Sequence, residues 1–180
     1  TSTSSKVLQA AEELSDKLNI PITRLFSFAK CIVSETKPAT TAPTTLPFPN
    51  FKLDPYQVTA ANYAGGRVGT LYKVECGLGK SATSTAAAIA AVRNKLCNNE
   101  RCLIISPLNA MPQWEPYILT LKQHFKDVQL VSCDSLHLLG GLEYSIGGAL
   151  IIDEIHGFKN YGSDRTVLAH KLRPAFEWCV

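Results

Sequence analysis

Two clusters of residues in this chain have the types and spacing to do chemistry. The first is Glu75-Cys76-Gly77-Leu78-Gly79-Lys80-Ser81. Glycines let the backbone curl so that successive N–H groups converge, and a helix N-terminus adds its positive end, a combination that holds phosphate oxygens. Lys80 is placed to reach the outer phosphates of a nucleoside triphosphate, and the Ser81 hydroxyl to ligate Mg²⁺. Position 74, where the full GxxxxGK[ST] pattern has its first glycine, is Val. On this segment alone, a glycine-rich turn between a strand and a helix accounts for the same residues. The second cluster is Ala149-Leu150-Ile151-Ile152-Asp153-Glu154-Ile155-His156, an apolar run that ends in paired carboxylates. At the C-terminal end of a parallel strand, Asp153 can hold the Mg²⁺ water shell while Glu154 orients an attacking water. A bare Asp-Glu after a strand is often only a solvated strand end. The two clusters together, in this order, point to Mg²⁺-dependent ATP chemistry with Lys80 and Glu154 as the catalytic pair.

Such residues need an α/β frame, and the rest of the sequence supplies one. Asp54-Pro55-Tyr56-Gln57 opens a helix, with Asp as N-cap, Pro at the first position and Gln at the third. Strands are expected at 70–74, 102–106, 128–131, 149–153 and 176–180, and helices at 80–95, 113–125 and 164–172. Strands that are apolar throughout, alternating with helices, predict a parallel sheet covered on both faces. Upstream, residues 5–34 carry apolar positions at helical spacing, broken at Pro21. Residues 36–50 hold five Thr and four Pro, the composition of an extended, unpaired linker. The expected organisation is therefore a helical accessory segment over 1–35, a linker over 36–50 and an ATP-binding lobe over 51–180.

These motifs resemble the first RecA-like lobe of superfamily-two helicases, and within them the Swi/Snf-type ATP-dependent DNA translocases. The resemblance rests on Glu75 before Gly77-Leu78-Gly79-Lys80, on Asp153-Glu154-Ile155-His156 followed by Lys159-Asn160, on Pro107-Leu108 and Trp114, and on Tyr56-Gln57. It covers about residues 51–180 and departs from the family pattern at Val74, Cys76 and Ile155. It implies ATP and Mg²⁺ as cofactors, with Gln57, Gly77, Leu78, Gly79, Lys80 and Ser81 on the nucleotide and Ser81 and Asp153 on the metal. Gln57 would read the adenine edge, a role its position puts ahead of the capping one that the third residue of a helix can take, since one residue does not easily do both. Ser106, Pro107, Leu108 and Ser132 would lie along a nucleic-acid backbone, DNA rather than RNA, or else be ordinary strand-end loops. Trp114 reads as a packed core aromatic rather than a platform for bases. His156 would couple the ATP site to a second RecA-like lobe. That lobe, with its arginine finger, and the family motif expected after Val180 are not in the sequence. The lobe is expected to be incomplete at its C-terminal end, and the 180-residue chain to turn ATP over at a barely measurable rate.

Composition narrows the alternatives. Hydrophobic residues make up 46% and charged residues 18% of the chain, which excludes a disordered or charge-driven coiled-coil protein. No apolar run reaches the ~18 residues of a membrane span. A net charge of +3 permits nucleic acid without arguing for it. The six cysteines include no CxxC and read as reduced thiols of an intracellular protein. The rival from another class is a non-catalytic, ATPase-like scaffold that binds a protein partner through residues 1–35.

Overall fold

Asp54, Pro55 and Gln57 do what their order predicts. In a computed structural model of the chain, which describes residues 41–75, 77–139, 147–158, 160 and 162–180, helix α1 spans Pro55–Gly65. Gln57 Oε1 accepts from the Asp54 N–H at 2.9 Å, closing a capping box. Helix α2, Lys80–Arg93, is alanine-rich, and every residue from Ala82 through Ala91 is buried. Its small side chains let α1 come close. A Cβ on Gly65 would lie 2.4 Å from Ala90 Cβ, so the two helices meet where neither has bulk. The Asn94 side-chain amide, just past α2, donates to the Gly65 carbonyl at 2.8 Å and pins the crossing.

A short antiparallel pair, β1 (Thr45–Leu46) with β2 (Phe51–Lys52), precedes α1. The main sheet comprises β3 (Arg101–Ser106), β4 (Asp127–Ser132), β5 (Ala149–Ile152) and β6 (Trp178–Cys179), in the order β4-β3-β5-β6 and parallel throughout. Helix α3, Met111–Leu121, joins β3 to β4, and α4, Asp164–Leu172, lies between β5 and β6. Alternate residues of each strand face opposite ways. Cys102, Ile104, Ala149, Ile151 and Trp178 pack with α1, α2 and Trp114 of α3 on one face. Leu103, Ile105 and Leu150 pack with Leu136, Ala169, Leu172 and Phe176 on the other. The fold is an α/β, RecA-like parallel sheet with helices on both faces. The Trp178 indole N–H donates to the Ala64 carbonyl at 3.0 Å, tying β6 to α1 across the buried layer.

Two expectations need correction. Residues 70–74 do not form a strand. Pairing there is confined to a bridge between Gly69 and Cys179 and a bond from the Thr70 N–H to the Cys179 carbonyl at 3.1 Å. The two-residue β6 offers too short a ladder to hold more. Nor is 41–50 an unpaired tether. Leu46 is fully buried, the Phe48 N–H donates to Thr120 Oγ1 at 3.1 Å, and the Ala42 N–H donates to Asn62 Oδ1 at 2.9 Å. One buried apolar anchor, with side-chain acceptors for the N–H groups between the prolines, is enough to seat the stretch. The helical accessory segment expected over 1–35 lies outside the described residues.

Candidate nucleotide site

The loop before α2 is shaped by two left-handed glycines, Gly77 at φ 82° and Gly79 at φ 71°. Gly79 is the N-cap of α2, and its carbonyl accepts from the Thr83 N–H at 3.0 Å. The N–H groups of Lys80, Ser81 and Ala82, in the first turn, have no acceptor within the helix. They form the kind of backbone cradle that takes an anion.

Two donors from α1 hold this loop from below. The Tyr56 hydroxyl and Gln57 Nε2 both donate to the Leu78 carbonyl, each at 3.1 Å. Gln57 is 2% exposed, and both ends of its amide are engaged inside the chain. Of the two roles the sequence left open for it, this arrangement is the capping one, extended by a bond to the glycine loop. A Cβ at Gly79 would lie 2.3 Å from Gln57 Nε2. Glycine suits the position on both counts: the left-handed backbone is strained for a side chain, and a Cβ would push Gln57 Nε2 off the Leu78 carbonyl.

From the other side comes the end of β5. Lys80 Nζ lies 3.4 Å from Glu154 Oε1, and His156 Nδ1 lies 2.9 Å from Glu154 Oε2. The tertiary structure thus brings the two sequence clusters into contact. Both Lys80 and Glu154 remain partly exposed, at 25% and 31%, so their pairing is open to exchange with a ligand. Glu154 has φ 53°, a left-handed backbone that costs a non-glycine residue of order 1 kcal/mol. The turn that follows, Ile155–Phe158, carries His156 out into solvent.

Asp153, one residue earlier, is held differently. Its N–H donates to the Ile105 carbonyl at 2.8 Å, continuing the sheet. Its carboxylate accepts from Ser106 Oγ at 3.3 Å and from the Trp114 indole N–H at 3.0 Å, both on Oδ2. Trp114 is a core aromatic at 1% exposure, as its sequence context suggested, yet it also reaches the site. Sequence reasoning missed this; the signal was an indole in an apolar helix, which when buried usually needs an acceptor.

Oxygen donors such as the Ser81 hydroxyl and Asp153 Oδ1 suit Mg²⁺, which takes few protein ligands and completes its shell with phosphate and water. Among the described residues no cluster of three or more His, Cys, Asp or Glu could hold a metal. A site that shares its cation with a nucleotide needs none. The serines proposed along a nucleic-acid track behave otherwise. Ser106 and Ser132 are buried, the first hydrogen-bonded to Asp153 and the second accepting from the Asp134 N–H at 3.2 Å. They serve the interior. Leu108, 68% exposed, and its neighbour Asn109 are the exposed part of that loop.

The arginines of the described lobe are engaged elsewhere. Arg67 stacks on Tyr63, Arg93 donates to the Thr41 carbonyl, Arg101 faces Asp127, Arg165 pairs with Asp134, and Arg173 donates to the Phe176 carbonyl. None of these contacts is with Lys80, Asp153 or Glu154.

No family model matches the sequence, and no curated protein matches it. Among solved structures, the chain is similar to the SWI2/SNF2 ATPase core of Sulfolobus solfataricus in complex with double-stranded DNA. The TM-score is 0.58 at 16% sequence identity, over 79% of this chain and 32% of that one. Identity this low speaks to the fold alone, a distant helicase-like one. This chain spans about a third of that ATPase core's length.

Proposed function

We propose that residues 51–180 are the ATP-binding lobe of a superfamily-two helicase or translocase, one that couples Mg-ATP hydrolysis to movement on nucleic acid. The observation that carries this reading is the Lys80–Glu154 contact at 3.4 Å, which joins a helix-capping glycine loop to the carboxylates at a parallel strand's end. Gly77, Leu78 and Gly79, with the first turn of α2, would cradle the phosphates, and Lys80 would exchange Glu154 for them. Ser81 and Asp153 would hold Mg²⁺, which when bound neutralises charge on the phosphates. Glu154, released from Lys80, would orient water. An adenine edge at Gln57 would compete with the bonds Gln57 already makes to Asp54 and Leu78. DNA is the favoured track, because the similar ATPase core was solved on duplex DNA. The arginines of this lobe make local contacts, so the transition-state arginine is assigned to a second lobe, with His156 at the junction.

Nucleotide titration of Lys80→Ala beside the parent chain tests the reading. Each charge-assisted bond from Lys80 to phosphate is worth about 1.5–3 kcal/mol, so affinity should fall about 10- to 100-fold with the melting temperature unchanged. Equal affinity of the two proteins for ATP would overturn the assignment.

A further inference from the structure

Asp153 is not simply a strand-end carboxylate. Its Oδ2 receives two hydrogen bonds from buried donors, the Trp114 indole N–H at 3.0 Å and Ser106 Oγ at 3.3 Å. Trp114 is 1% exposed and Ser106 fully buried, so neither bond competes with bulk water. Hydrogen bonds to an ionised acceptor are stronger than neutral ones. Two on the same oxygen fix the plane of the carboxylate. Among the described residues, no donor engages Oδ1, which is left as the oxygen for a cation.

The two donors also have a common origin in the chain. Ser106 is the last residue of β3, and Trp114 sits in the first turn of α3. Between them runs the turn Leu108–Ala110, with Leu108 exposed. Both sides of that exposed turn therefore grip one oxygen of Asp153. A shift of α3 against β3 would separate the donors and free the carboxylate to rotate.

We infer that Trp114 and Ser106 are positioning residues: together they hold Asp153 in the rotamer that presents Oδ1 to Mg²⁺, and so tie the 107–110 turn to the cation site. The inference rests on the reading of Asp153 as a Mg²⁺ ligand given above. Outer partners of a metal ligand act through its orientation, and their loss typically costs about 10- to 100-fold in metal affinity.

The test is calorimetric titration of ATP into the 180-residue chain, its Trp114→Phe variant and its Ser106→Ala variant, each with excess Mg²⁺ and with EDTA. Trp114→Phe keeps an aromatic ring and deletes the N–H. Ser106→Ala deletes only a hydroxyl, and carries the test if the tryptophan variant does not fold. The gain in ATP affinity on adding Mg²⁺ should shrink about 10-fold in Trp114→Phe and less in Ser106→Ala, whose bond is longer. Affinity in EDTA should stay at the parent's value in both. An unchanged Mg²⁺ gain in both variants would overturn the positioning role while leaving Asp153 as a ligand. An equal loss with and without Mg²⁺ would reduce the two residues to packing and also overturn it. A parent whose ATP affinity does not respond to Mg²⁺ would remove the reading of Asp153 itself, and this inference with it.

Discussion

The two ends of the parallel sheet use the same residue types in opposite ways. At the carboxyl end, Gly77 at φ 82° opens into free space, and a Cβ added there would meet no described atom within 4 Å. At the amino end, Gly148 has nearly the same φ, 83°, but its Cβ would sit 2.1 Å from the Arg101 carbonyl oxygen. Glutamates show the same contrast. Glu154 at the carboxyl end is paired with the side chains of Lys80 and His156, and its own backbone is left-handed. Glu177 at the amino end accepts from backbone, the Asn98 N–H at 2.6 Å and the Gly148 N–H at 3.4 Å. A carboxylate latched to backbone fixes the fold. One paired with partly exposed side chains can trade them for a ligand. The difference separates an end locked by backbone hydrogen bonds from an end held by partly exposed side-chain contacts.

Replacing the two glycines by alanine gives the largest expected contrast. Gly148→Ala combines a backbone penalty with overpacking and should lose about 2–4 kcal/mol of stability in chemical denaturation. Gly77→Ala should lose about 1 kcal/mol, the backbone term alone. Equal losses would mean that the amino end can relax as easily as the loop, and the contrast would fail.

Neutralising the glutamates is the next test. Glu177→Gln weakens two bonds to backbone N–H groups and should destabilise by about 1 kcal/mol. Glu154→Gln removes the partly exposed ion pair with Lys80, which in such a setting contributes about 0–1 kcal/mol, and should leave the melting temperature near the parent's. It should bind ATP at parental affinity while removing the group assigned to water. A fall in melting temperature larger for Glu154→Gln than for Glu177→Gln would reverse the assignment of the two ends.

The smallest effect concerns acid. His124, in the turn after α3 near the amino end, has its pKa lowered from 6.5, first by burial and then by the Arg93 charge. The folded form therefore prefers the neutral ring. Its contribution to stability is complete above the unfolded value of 6.5 and is lost as pH falls below that towards the lowered folded value. Denaturation midpoints of His124→Gln should consequently decline less between about pH 7 and about pH 5 than those of the parent. A steeper decline in the variant would show that the ring is stabilised when charged.

Much of this was legible in the sequence. The cap at Asp54 and Gln57, the alanine helix, all four main strands and the loop-then-carboxylate order follow from local propensity and periodicity, which act over a few residues. The failures share a cause. Residues 70–74 have the composition of a strand, but a strand exists only where a neighbour offers a ladder, and Cys179 offers little. Residues 41–50 have the composition of a linker, but Leu46 found a buried seat against the lobe. Exposed Leu108 and buried Ser106 stand two residues apart in a segment that sequence alone treated as one surface.

The sequence by itself determined that the glycine loop with Lys80 and Ser81 would stand at a helix start and the Asp153-Glu154 pair at a strand end. Helix capping, glycine backbone freedom and apolar runs are local properties, and they need no knowledge of the rest of the chain. Only the tertiary structure decided who partners whom. Register and helix packing brought Lys80 to Glu154, set both Tyr56 and Gln57 against the Leu78 carbonyl, and placed Trp114, 39 residues away, on Asp153. A buried hydrogen-bond donor must find an acceptor, but which acceptor lies within about 3 Å depends on how whole elements pack. No short window of sequence carries that information.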